Sequence, residues 1–434
     1  MRSGGKISRR LGVLTFFKQR LDYQRSPPKN TASDLNVDNR LSARYTVPVK
    51  KRSVDFMELT LNAALSGVET SGIRRFTALA RATPGACALT IGEPDLDTPA
   101  PIREAARASL AEGDTHYPPN NGQPYLLEAL SRYEERAHGL RYAPDEIIVT
   151  AGATEAIFIA LAAILNPGDE GVIPTPAFSL YASAAALCRG MPAALPTENS
   201  GFQIDPAALA AAVTPRTKAL VLTSPNNPTG CVYTRETLEA VHEVLRDKPV
   251  FVLCDDVYRE LTYTKDYHSF AEFSDMRDRV IVVNSFSKPW AMTGWRVGWC
   301  MAERPVKEKM QVFHQYAVVS VPSFVQRACV TALETDPAPM RALFQKRRDY
   351  VCARLAAMGL EATEPEGAFY VFPSIQKYGM DSETFCRRML SEGFVGVLPG
   401  TYFGAEGFVR ISCCYGDEAL QEGLDRMERF LKTL

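Results

Sequence analysis

Lys288 closes the run Ser285-Phe286-Ser287-Lys288, directly after the apolar, β-branched segment 280–284, and Arg296 follows eight residues later. A lysine amine at the end of a buried segment is a candidate nucleophile for a carbonyl carbon. Hydroxyls and a fixed cation beside it suit a phosphate. Four other apolar runs end in comparable ways. Segment 146–150 runs into Ala151-Gly152-Ala153-Thr154, where small residues let the backbone approach a ligand and a helix start offers free N–H groups. Segment 171–174 leads to Thr175-Pro176-Ala177-Phe178, an aromatic. Segment 219–223 leads to Ser224-Pro225-Asn226-Asn227-Pro228-Thr229-Gly230, a rigid turn presenting an amide. Segment 250–254 leads to Asp255, Asp256 and Tyr258. Each alone has an ordinary explanation: a helix start, a tight loop, a helix cap, a solvated lysine. Five successive runs ending this way call for a common one.

The elements between these runs say how they are positioned. Stretches such as 155–165 and 235–246 are apolar or amphipathic and long enough for crossover helices. Strand, helix, strand at this rhythm predicts an α/β fold with a mostly parallel central sheet covered by helices on both faces. In such a sheet ligands bind outside the carboxyl ends of the strands, which is where the chemistry-bearing residues fall. The last third changes character. Residues 338–358 read as one long amphipathic helix, followed by strand-like pieces at 369–372 and 408–412, which predicts a smaller α+β domain. The expected division is a large domain over 105–333 and a small one built from 57–104 and 334–434.

Taken together, the residues at these ends meet the needs of pyridoxal 5'-phosphate. Lys288 can hold the aldehyde covalently and carry a proton. Asp255 is placed to keep the pyridine nitrogen protonated. Asn227 and Tyr258 can donate to the ring's phenolic oxygen, and Phe178 can stack on the ring. Ala153, Thr154, Ser285, Ser287 and Arg296 offer N–H groups, hydroxyls and a cation to the phosphate.

From about Met57 to its end the chain resembles the class I/II (fold type I) pyridoxal-phosphate aminotransferases. The matching stretches are Ile91-Gly92-Glu93-Pro94-Asp95, Tyr117 with Gly122, Gly152-Ala153-Thr154, Ser224 to Gly230, Asp255-x-x-Tyr258, Ser285 to Lys288, Met292-Thr293-Gly294-Trp295-Arg296 and Val409-Arg410-Ile411-Ser412. The resemblance implies three further roles. Arg410 would bind the substrate α-carboxylate, with the Gly92 N–H assisting. Tyr117 would reach the cofactor phosphate of a neighbouring subunit, so that a homodimer shares its active sites. Phe178 departs from the Trp or Tyr of many relatives, which keeps stacking and loses any hydrogen bond from the ring. The implied reaction is ping-pong transfer of an amino group between an L-amino acid and 2-oxoglutarate. A weaker likeness in Ser71 to Phe76, His314-Gln315-Tyr316 and the stretch 367–374 points to bacterial N-acetyl-LL-2,6-diaminopimelate aminotransferases, whose subgroup also holds aspartate- and aromatic-type enzymes. A carbon–sulfur lyase of the same fold is the alternative. A regulator with an aminotransferase-like sensing domain is a further one, but 56 unpatterned residues are few for a DNA-binding domain.

The whole composition bounds these readings. The 434 residues are 46% hydrophobic and 23% charged with a net charge of -1, so there is no bulk pull toward nucleic acid or an anionic membrane. The longest near-apolar stretch, 156–165, is about half a membrane span. Ten cysteines without a Cys-x-x-Cys pair and five scattered histidines suggest free thiols in a reducing, cytoplasmic setting and no metal site. Residues 1–56 hold 13 Lys/Arg against 4 Asp/Glu. They read as a basic extension expected to be disordered, with translation starting at Met57, as an organellar targeting peptide, or as a nucleic-acid-binding arm.

Overall fold

Strands buried on both faces need apolar residues at nearly every position, and the runs ALVLT, VLC and VIVV supply them. The structure, a computed structural model, describes Leu61, Asn62, Leu65 and residues 67–434. The expectations for 1–56 and for a start at Met57 lie outside the described residues.

In chain order the strands are β1 (Cys87–Ala88), β2 (Ile147–Thr150), β3 (Glu170–Thr175), β4 (Met191–Pro196), β5 (Thr217–Thr223), β6 (Phe251–Asp255), β7 (Val280–Ser285), β8 (Gly298–Met301), β9 (Tyr370–Val371), β10 (Val395–Gly396), β11 (Leu398–Pro399) and β12 (Val409–Ser412). The α-helices are α1 (Gly72–Ala82), α2 (Ala100–Ala111), α3 (Pro124–His138), α4 (Ala153–Ile164), α5 (Leu180–Leu187), α6 (Pro206–Ala212), α7 (Arg235–Leu245), α8 (Arg304–Ala317), α9 (Ser323–Glu334), α10 (Ala338–Ala357), α11 (Ser382–Glu392) and α12 (Asp417–Leu431).

Seven strands form the central sheet in the order β2-β8-β7-β6-β5-β3-β4. All pairings are parallel except those of β8, which runs antiparallel to both β2 and β7. The carboxyl ends of β2, β3, β5, β6 and β7 therefore meet at one rim. Because β8 is reversed, its beginning lies there too, with Gly298 opposite both Thr150 and Ser285.

The period-two alternation of each strand divides its side chains between two cores. Ile147, Val149, Leu220, Leu222, Val252, Val280 and Val282 join α2, α3, α7 and α9 on one face. Ile148, Ala219, Val221, Leu253, Ile281 and Val283 join α4, α5 and α8 on the other. A third apolar cluster gathers α1, α10, α11, α12 and the small strands, and takes in Val257 and Tyr258 from the loop after β6. There β11, β12 and β9 form an antiparallel sheet and β1 pairs in parallel with β10.

The five strands expected from the apolar runs are present, each within three residues of its expected bounds. Two further strands of the central sheet were not expected. β4 carries Pro192 and Pro196, which only an edge strand tolerates, and it is the sheet edge. β8 (GWCM) opens on a glycine and has no β-branched residue, so it does not read as a strand. Among the described residues no helix is long and apolar enough to cross a membrane. All ten cysteines are free thiols.

Candidate active site

The common rim brings the expected residues together. At the end of β2, Gly152 turns the chain with φ +82 into α4. The N–H groups of Ala153 and Thr154, in the first turn, have no intrahelical acceptor. A Cβ on Gly152 would lie 2.7 Å from Nη2 of Arg296, so the glycine is what admits the guanidinium. Arg296 itself sits in the left-handed region, φ 53, just before β8, a conformation that costs a non-glycine residue and is concentrated at functional sites. Its Nη1 donates to Thr293 O and its Nη2 to Ala151 O. Beside it the Ser285 hydroxyl donates to Ser287 Oγ at 2.8 Å. Gly298 lets β8 pass close to the start of α4, since a Cβ there would meet Ala153 N at 3.0 Å.

Asp255, at the end of β6, is buried and accepts from the Tyr181 phenol at 2.7 Å and from Val257 N at 3.3 Å. Burial pushes its carboxyl up to about 6, against the pull of those two hydrogen bonds and of Lys288. Tyr181 went unnoticed in the sequence; it lies in the first turn of α5, three residues beyond Phe178, which precedes the helix. Their rings meet edge to face at 6.2 Å.

Lys288 is enclosed. Its Nζ donates to Gly92 O at 2.7 Å and lies 5.8 and 5.7 Å from the ring centres of Tyr258 and Phe369. Burial lowers its amine to about 8; Cys414 and Glu93 oppose that shift, while Arg410 and Arg296 add to it. Gly92 could be nothing else here, because a Cβ would fall 1.8 Å from the Tyr370 hydroxyl. That hydroxyl is 2.7 Å from the hydroxyl of Tyr258, whose titration burial pushes upward. Tyr370 is a second site residue that sequence reasoning missed; inside an aromatic strand it looks like core.

Arg410, on β12, is 2% exposed. Nη1 donates to Asn227 Oδ1 at 2.8 Å, Nη2 to Thr90 O at 2.5 Å, and Nε has no partner. The guanidinium lies 4.3 Å from the centre of the Tyr370 ring. Since arginine only donates, Asn227 presents its oxygen to it and keeps its NH2 for another acceptor. Tyr117 stands apart, 89% exposed.

The set fits pyridoxal phosphate in chemistry: an amine, a buried carboxylate, neutral donors, an aromatic, and a turn where Gly152 and Gly298 let Arg296 and the start of α4 come close. Among the described residues no cluster of three or more His, Cys, Asp or Glu could hold a metal.

Comparison with known proteins agrees. Residues 86–427 match the family Aminotransferase class I and II. The chain is 39% identical over 381 residues to a Bacillus subtilis protein named Probable N-acetyl-LL-diaminopimelate aminotransferase, covering 86% of this chain and 96% of that one. It is 40% identical over 385 residues to Aromatic-amino-acid aminotransferase 2 of Thermococcus litoralis, covering 86% and 99%. The solved aspartate aminotransferase of Thermus thermophilus with maleate superposes with a TM-score of 0.82 at 35% identity, covering 86% and 100%. With its fold, its rim of residues and these likenesses, the chain belongs to the class I and II aminotransferases and is a pyridoxal-phosphate-dependent transaminase of fold type I.

Proposed function

We propose that the enzyme exchanges the amino group of an L-amino acid with 2-oxoglutarate in a ping-pong cycle, one set of residues serving both half-reactions. Arg410 carries the reading. It is a buried cation held by an amide oxygen, a backbone carbonyl and an aromatic face, with Nε unpartnered. A desolvated charge held only by neutral groups is costly, and a substrate α-carboxylate would complete it as a bidentate pair. The Gly92 N–H assists at the same carboxylate.

Pyridoxal phosphate, when bound, supplies an electron sink that makes the substrate Cα–H acidic. Lys288 would hold the cofactor covalently through Nζ, and the same amine would take up and return the proton that leaves the substrate Cα. Asp255 holds the ring nitrogen's proton, and Tyr181 fixes that carboxylate. Asn227 and Tyr258 donate to the phenolic oxygen, and Phe178 stacks. Ala153, Thr154, Ser285, Ser287 and Arg296 take the phosphate, joined by Tyr117 of a second subunit in a homodimer with shared sites. For the domain division at 105–333 against 57–104 with 334–434, the apolar cluster of α1, α10, α11 and α12 speaks in favour, though it takes in Val257 and Tyr258 and the boundary at 104 falls within α2. Ten free thiols support a cytoplasmic setting.

For the donor we infer glutamate for one half-reaction and N-acetyl-LL-2,6-diaminopimelate, aspartate or an aromatic amino acid for the other. The relatives' names span this range, and the Thermus structure binds maleate, a dicarboxylate. The test is to mix the protein with single amino acids, without oxo acid, and follow the cofactor's absorbance. Glutamate should convert it to the amine form, and the panel then ranks the second donor. No conversion by any donor, with pyruvate released from cystathionine, would overturn the reading in favour of carbon–sulfur lyase chemistry.

A further inference from the structure

His314 has no part in the chemistry above, yet its surroundings are unusually complete. It sits on α8 with no side-chain exposure. Nε2 is 2.8 Å from the carbonyl oxygen of Asn120 and Nδ1 is 2.6 Å from Glu155 Oε1. A backbone carbonyl only accepts, so Nε2 carries a proton, and Nδ1 shares one with the carboxylate. The second oxygen of Glu155 accepts from Ala151 N at 2.5 Å. The carbonyl of that same Ala151 accepts from Arg296. The turn that starts α4 is thus held between Glu155 and Arg296, and His314 is what holds Glu155.

The other side of the imidazole grips the loop that carries Tyr117. Asn120 Nδ2 donates to Val319 O just beyond α8, and Asn121 O accepts from Val149 N on β2. One buried ring therefore ties α8, the first turn of α4 and the 117–122 loop together.

We propose that His314 is a positioning residue for the phosphate cradle: acting through Glu155, it fixes the Ala151–Thr154 turn and so sets the affinity for the cofactor's phosphate without touching it. This rests on reading Ala153, Thr154 and Arg296 as phosphate ligands. The pair is built for the task, since a hydrogen bond shielded from water holds its partner more rigidly than a solvated one.

The test compares apo-proteins for binding of pyridoxal phosphate, of pyridoxal, and of inorganic phosphate as competitor. In His314→Phe, and in the milder His314→Gln and Glu155→Gln, affinity for the two phosphate-bearing ligands should fall about 10- to 100-fold, the worth of a hydrogen bond to a charged group. Pyridoxal affinity should change less than about twofold, with His314→Gln, which keeps one donor, losing least. A merely structural role would weaken all ligands alike, and that result overturns the proposal. Should His314→Phe fail to fold, the two glutamine variants decide. Arg296→Ala separates the two layers. If it keeps the preference for phosphate, the cradle reading falls and this proposal with it. If it loses that preference while the His314 and Glu155 variants keep theirs, only the positioning role falls.

Discussion

Half-buried Lys288 and fully buried Arg410 are both cationic groups drawn out of water, but they answer this differently. The amine can shed its proton, and burial brings it down to about 8; the guanidinium cannot, so it must be solvated by other means. Each of the two therefore has its own tests. Covalent capture of an aldehyde needs the neutral amine, and the shift from 10.5 to about 8 raises the neutral fraction at pH 7 by two to three orders of magnitude. Uptake of pyridoxal phosphate by apo-protein should therefore rise with pH and level off near 8. A rate still climbing at pH 10 would contradict the burial of Lys288. Lys288→Ala should bind some cofactor but show no turnover, since it removes the amine that carries the proton. For Arg410→Lys, the loss of the fork should lower kcat/KM by roughly 100-fold or more, through KM for amino acid and oxo acid alike. The slow reaction of an amine without an α-carboxylate should be unaffected. Equal loss for that amine would mean that Arg410 serves the fold and not the carboxylate.

At the scale of elements, reversed β8 explains why Arg296, which precedes a strand, joins residues that follow strands. Much of this arrangement was legible. Parallel strands announce themselves by continuous apolar runs, and the residues just past them, Phe178, Asn227, Asp255 and Ser285, fall at the rim by construction. Less legible was whatever depends on two segments distant in sequence. Tyr370 meets Gly92 and Tyr258 only once the small strands pack, and Tyr181 meets Asp255 only across the sheet. The Gly92–Tyr370 contact can be probed by a double substitution. Gly92→Ala drives a methyl into the phenol and should destabilise the protein by about 1–3 kcal/mol in urea unfolding. Adding Tyr370→Phe removes the clashing oxygen and should restore part of that loss. Additive losses would show that the two side chains do not meet.

For the whole molecule, the informative residue is the one that does not fit its own chain. Tyr117 is 89% exposed, and beside its loop lie Phe313 at 43%, Tyr316 at 83% and Val319 at 50% exposure. Exposed aromatic and aliphatic side chains grouped in this way suit a surface between subunits. If Tyr117 reaches the neighbour's phosphate, each site needs Lys288 from one chain and Tyr117 from the other. Lys288→Ala homodimers should then be inactive, and Tyr117→Phe homodimers should bind cofactor about 10-fold more weakly. The two variants complement each other: in a hybrid, the site built on the intact Lys288 receives its tyrosine from the Lys288→Ala chain and is wild type in every residue. Mixing equal amounts, unfolding and refolding together should restore tight, active sites in roughly a quarter of the total, the share expected from random pairing. If Tyr117 acted within its own chain, the hybrid would hold one site lacking the lysine and one lacking the tyrosine, and mixing would restore nothing. Titration of the refolded mixture with limiting pyridoxal phosphate, followed by turnover, distinguishes the two outcomes without knowledge of the physiological donor.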